Sequence, residues 1–297
     1  MSLGISSWVL DLPALLFACG ATTLYLVGAK RRAERGLARP RATLAFLLGI
    51  AVVLVSHISP IAAFSKVLFW PHMVQHLLIT LVAAPFIAWS SPVTTIRQAL
   101  PAEARHPLAL VSRRSRRARR RVGSPPPLLL ATLASIAMLW IWHTPPVYDA
   151  AVRSPALHLL EHASFLGTAV WFWSEVRSSA RRNPRTQAIA TLCLGLMIVQ
   201  GGVLGAAITF ASRSLFEVYT GYGALSALED QQLAGALMWV PPGFVYGSVA
   251  VRRFIGWFNL VGGDDPAPPE PGPVGRDGAC PPDRGQHLAG NAAEPSR

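Results

Sequence analysis

The chain has 297 residues, 52% hydrophobic and only 14% charged, against roughly 25% charged in an average soluble domain. So much apolar surface excludes a water-soluble enzyme or a secreted module and makes the bilayer the solvent. The net charge of +12 suggests nucleic acid only until the basic residues are placed. Cys19, Cys193 and Cys280 lie far apart, which excludes a disulfide framework and a thiolate metal site.

Seven apolar runs approach the roughly 20 residues that a spanning helix needs. They fall at about 8–28, 42–58, 71–90, 127–143, 156–176, 187–210 and 231–251. No period-2 alternation marks a β-barrel. The expected fold is an all-α, polytopic bundle of seven transmembrane helices over residues 1–258. The loops after the first, third, fifth and seventh runs hold 6, 9, 4 and 5 Lys/Arg. The N-terminal segment and the other loops hold only Lys66, Arg153 and Arg213. Because basic loops stay on the inner side, the N-terminus is expected outside and the C-terminus inside.

The inner loop at about 97–126 contains the run Arg113–Arg121. Without interleaved aromatics for base stacking, it reads as a topology signal lying against anionic lipid, not as a nucleic-acid site. Residues 261–297 hold eight prolines and seven glycines and read as a disordered inner tail. Cys280 and His287 in that tail, and His106 in the inner loop, have no partner that would make them ligands.

The other six histidines all map to the outer ends of spans. His57 ends the second, His72 and His76 open the third, His143 ends the fourth, and His158 and His162 open the fifth. The charge split that sets the topology does not use histidine, so this clustering is independent of it. His72/His76 and His158/His162 are both i,i+4 pairs, offset by ~40° with ~6 Å of rise, so each pair projects from one helix face. Two imidazoles so placed can hold one metal ion, as in the zinc motif H-E-x-x-H. Glu161 does not reproduce that motif, because its Glu follows the first His directly and Leu159 does so here. A lone histidine at a helix end is ordinarily packing. Six at one depth on four helices point to a metal or haem site. Imidazole suits copper, zinc, iron and nickel, and a thioether from Met73 or Met238 would favour Cu(I).

Before the last span, Asp230 reads as the N-cap, with Glu229 favouring the helix start. Asp230 can also fix an imidazole tautomer, with Gln231 beside it at the same level. Pro241 and Pro242 are expected to kink this span. Gly201 and Gly205 form a G-x-x-x-G packing face. Trp140, Trp142, Trp171 and Trp173 read as interfacial belts.

Four segments, in order, carry a resemblance: H72-M-V-Q-H76 followed by A-A-P, W142-H143-T-P-P-V-Y-D149, the helix H158-L-L-E-H162, and L228-E-D-Q-Q-L-A-G-A-L-M-W-V240. Together they resemble the seven-helix CtaG family of cytochrome c oxidase assembly factors, over roughly residues 45–255. The resemblance implies a non-enzymatic, multi-pass protein of the bacterial inner membrane that matures a respiratory haem-copper oxidase. It implies copper delivery, with oxidase subunits and a periplasmic copper chaperone as partners. It adds Asp149 to the supporting residues. Two other functions fit the histidines: a haem-binding electron carrier, and a metal-free scaffold whose histidines are polar helix glue. A transporter would need an ionisable cluster at the inner ends, and none is found. No phosphate loop, nucleophile elbow or kinase signature occurs.

Overall fold

Proline, which lacks the N–H that a first helical position leaves unused, opens seven of the helices, at Pro40, Pro60, Pro92, Pro127, Pro145, Pro155 and Pro184. The structure, a computed structural model, describes residues 8–101, 103–104, 126–179 and 184–261. The Arg113–Arg121 run with its lipid contact, His106, and the tail with Cys280 and His287 lie outside the described residues. Among the described residues the chain is all-helical, and its one extended pairing is the bridge Tyr222–Leu225.

In chain order the helices are α1 (Leu12–Ala33), α2 (Pro40–Ile58), α3 (Pro60–Phe64) and α4 (Phe69–Leu77). A π-helical stretch, Leu78–Ala83, joins α4 to α5 (Ala84–Ser90), and α6 (Pro92–Ala99) follows. Then come α7 (Pro127–Trp142), α8 (Pro145–Arg153), α9 (Pro155–Ser179), α10 (Pro184–Thr209) and α11 (Ala227–Val261).

Each apolar run falls on a helix. Among the described residues, five helices are long and apolar enough to cross a membrane: Leu12–Ala33, Pro40–Ile58, Phe69–Ser90, Pro184–Thr209 and Ala227–Val261. A sixth is added if α7 and α8, bent by 79°, form one broken span. The run at 156–176 lies on α9, which has 25 residues but is less apolar because it carries His158, Glu161 and His162.

The two ends of the bundle differ in chemistry. At one end arginines close helix carbonyls. Arg31 Nη1 donates to Gln98 O at 3.0 Å, Ala99 O at 2.8 Å and Leu100 O at 3.1 Å. Arg177 donates to Trp89 O at 3.1 Å and Ser91 Oγ at 2.7 Å, and Arg253 to Val176 O at 2.8 Å. The histidines gather at the other end. His162 and Arg177 on α9 are separated by ~22 Å of helix, at 1.5 Å per residue.

Small residues let α10 and α11 approach closely. A Cβ added at Gly205 would lie 2.9 Å from Trp239 Cβ, and one at Gly235 would lie 2.7 Å from Thr209 N. Gly201 faces Met238 O at 4.0 Å, so the G-x-x-x-G face packs on α11 as expected. Helix α11 runs unbroken through Pro241 and Pro242.

Two expectations need correcting. Asp230 is not the cap of its own helix. Ser226 and Glu229 form a capping box there, with Ser226 N donating to Glu229 Oε2 at 2.9 Å and Glu229 N to Ser226 Oγ at 3.3 Å. Asp230 therefore sits one residue inside the box and is free to reach another helix. Trp142 and Trp173 are buried, unlike interfacial residues, because each indole N–H has an internal acceptor: Ser164 Oγ at 2.8 Å and Thr80 O at 2.9 Å.

Candidate metal centre

All six histidines of the outer-end set come together. His57 closes α2, His72 and His76 lie on α4, His143 follows α7, and His158 and His162 open α9. The two i,i+4 pairs face each other. Ring centroids are 5.2 Å apart for His72–His158, 5.8 Å for His72–His162 and 5.0 Å for His76–His162. His143 lies 6.0 Å from His76.

Hydrogen bonds fix where the ring lone pairs point. His57 Nδ1 faces Val53 O at 2.8 Å and Ser56 Oγ at 2.9 Å. The Ser56 hydroxyl proton already goes to Val53 O, so both groups accept and Nδ1 must be the N–H. His57 Nε2 is then a lone pair, which accepts from His162 Nδ1–H at 3.0 Å. His162 is left with its lone pair on Nε2, buried and without a hydrogen-bond partner.

His143 repeats the pattern. Its Nδ1–H donates to Leu139 O at 2.7 Å, and its buried Nε2 has no partner. His72 is set by a relay. Tyr219 donates to Ser65 O at 3.0 Å, so its oxygen accepts from Tyr148 at 3.0 Å and from His72 Nδ1–H at 3.3 Å. His72 Nε2 is therefore also a lone pair, 3.0 Å from His76 Nε2.

Glu161 lies beside the His72 lone pair and is fully buried. Neither of its oxygens accepts a hydrogen bond. The nearest groups are His72 Nε2 at 3.6 Å and His76 Nε2 at 3.5 Å. A buried carboxylate without donors costs several kcal/mol unless a cation faces it. One ligand atom from each of His72, His158, Glu161 and His162 lies within 4.8 Å of the others. Tetrahedral bonds of ~2 Å place ligand atoms ~3.3 Å apart, so side-chain shifts of ~1 Å close this set around one ion. Three imidazoles and a carboxylate suit zinc, copper or iron.

A cavity of about 530 Å³ leads to the cluster, lined by His57, His72, His158 and His162 and by Asp11 and Arg153 at its rim. It opens between the helix ends, so an ion can enter from that face of the bundle.

The supporting residues hold the frame and do not touch the rings. Asp230 accepts from Phe69 N at 2.7 Å and Trp70 N at 3.0 Å, so α11 caps the start of α4. Gln231 accepts from Leu215 N at 2.6 Å and donates to Ile208 O at 3.2 Å. Asp149 accepts from Glu217 N at 3.2 Å and Val218 N at 3.4 Å. Gln231 and Asp149 thus pin the 210–226 segment that delivers Tyr219 to His72. Met73 and Met238 are buried, and both border His76.

Two participants go beyond the residues expected from sequence. Glu161 was discounted because it does not follow the first histidine. Its actual signal is H158-x-x-E161-H162, the reverse of H-E-x-x-H, in which i, i+3 and i+4 share one helix face. Tyr219 carries no local signal, because only the folded loop brings it to His72.

These features define an integral membrane protein with a buried His/Glu cluster at one end of a helical bundle. The chain belongs to the cytochrome c oxidase caa3 assembly factor family (Caa3_CtaG), whose model matches residues 23–259. Comparison with curated proteins and with solved structures gives no match.

Proposed function

We propose that this assembly factor holds a copper ion on His72, His158, Glu161 and His162 and passes it to a subunit of the maturing cytochrome c oxidase. The observation that carries the reading is Glu161, a buried carboxylate that accepts no hydrogen bond and lies 3.6 Å from the His72 Nε2 lone pair. The bundle spans the bacterial cytoplasmic membrane seven times, α9 included, with its N-terminus outside. The arginine-closed end then lies inside and the cluster outside, where a periplasmic copper chaperone can load it. Anionic lipid meets the basic inner loop. The role is handover of an ion, not catalysis. Contact among the rings, down to 4.1 Å between the centroids of His158 and His162, leaves no slot for a porphyrin between facing axial ligands and disfavours the haem carrier.

Replacing His162 by Ala tests the reading. The protein level should stay normal while active oxidase in the membrane falls. Added copper should restore part of it, since mass action refills a weakened site. Full oxidase activity without added copper would overturn the proposal, and loss that copper does not rescue would favour a scaffold.

A further inference from the structure

Beneath the His/Glu cluster lies a second, smaller cavity of about 90 Å³, lined by His76, His143, Met73, Met197 and Met238. The chain has only five methionines, and three of them border this one space. Packing alone would scatter them, because Leu and Ile fill membrane cores as well. Met138 is not a lining residue and packs against Trp142, Ala151 and Phe165, the last of which also borders the cavity.

The two histidines give the cavity its polar character. His143 Nδ1–H is committed to Leu139 O at 2.7 Å, so Nε2 carries a lone pair. That Nε2 is buried and unpartnered, as is His76 Nδ1. His76 Nε2 already lies 3.0 Å from His72 Nε2, a lone pair that can accept its proton. The His76 lone pair is thereby placed on Nδ1. An unsatisfied buried nitrogen costs about 1–3 kcal/mol, and here two line one small space with three thioethers. The hydroxyls that border it, on Thr80, Ser135 and Thr168, have already given their protons to carbonyls on their own helices, at 2.7, 2.9 and 2.8 Å. The Tyr246 phenol also borders the cavity, which otherwise presents lone pairs and soft thioether donors.

We propose that this cavity is a second metal site, taking the soft monovalent ion Cu(I) on His76, His143 and thioether sulfur. Neutral imidazole with thioether and no carboxylate selects Cu(I) over Zn(II). The carboxylate-bearing cluster above it, with harder donors, suits a divalent ion, Cu(II) included. The two sites meet at His76, whose ring borders both. The proposal stands on its own cavity and donors and holds whether or not the outer cluster carries copper.

The test uses the full chain in detergent, titrated with Cu(I) against a competing Cu(I) chelator under reducing, anaerobic conditions. X-ray absorption at the copper edge reads the ligands. The wild-type protein should take up Cu(I) with sulfur scattering. The Met197→Leu, Met238→Leu double variant, close in volume to the original, should lose that scattering and at least tenfold in Cu(I) affinity. Glu161→Gln should retain the sulfur scattering. A wild-type spectrum with nitrogen and oxygen scattering alone would overturn the proposal and leave water as the occupant, without bearing on the outer cluster. Cu(I) uptake that vanishes in Glu161→Gln and persists in the methionine variant would likewise overturn it, by placing all the copper outside. Because the wild-type spectrum alone decides for or against sulfur, a variant that fails to fold does not leave the question open.

Discussion

Glu161 is the residue on which the His/Glu site turns. The His72 Nε2 lone pair lies 3.6 Å away, and the carboxylate oxygens receive no hydrogen bond. A cation resolves the conflict, and so does neutralising the carboxylate. Glu161→Gln should therefore cost at least ~10-fold in metal affinity and leave the apo protein as stable as wild type or more so. Metal titration and thermal unfolding of the same two proteins check both halves. A second prediction concerns His57, which touches the site only through His162. His57→Ala frees His162 Nδ1 and the ring loses its fixed tautomer. Metal affinity should fall ~10–100-fold with the ligands intact, whereas a merely structural role for His57 would change stability and leave the affinity alone.

Helix α4 carries His72 and His76, and its start is secured from α11. Asp230 reaches from α11 to the first amides of α4, and hydrogen bonds to a charged group contribute about 1.5–3 kcal/mol each way of counting. Asp230→Ala should destabilise the protein by about that amount, and Asp230→Asn by less, since an amide oxygen still accepts. Chemical unfolding in detergent measures the difference. The α10–α11 contact gives a paired test. Gly235→Ala drives a Cβ to 2.7 Å from a backbone nitrogen, while Gly167 has nothing within 4 Å. The first should cost about 1–3 kcal/mol by overpacking, and the second should be neutral or slightly stabilising.

The elements also show what the sequence discloses. Helix positions and the six-histidine set were readable because apolar runs and i,i+4 spacing are local patterns. The role of Asp230 was not, because a carboxylate near a helix start looks like a cap whether it serves its own helix or another 160 residues away. The S226-x-x-E229 box was the available sign that Asp230 was released. Tyr219 was unreadable, since a loop tyrosine acquires its partner only from tertiary packing.

For the whole molecule, polarity of the ends is the organising fact. Arginines close helix carbonyls at one end, and six histidines with a buried carboxylate gather at the other. Single cysteines in the 58–70 segment should be labelled by an impermeant reagent in intact cells, and cysteines in the 113–121 segment should not. The reverse pattern would invert the bundle and put the cluster on the side from which copper does not arrive. The proposed copper at the His/Glu cluster can be counted directly. Copper per chain, measured on protein purified from copper-supplemented membranes, tests it most directly. The wild-type protein should carry one more copper than a variant in which His158 and Glu161 are replaced by Ala and Gln. Equal copper in the two folded proteins would contradict it.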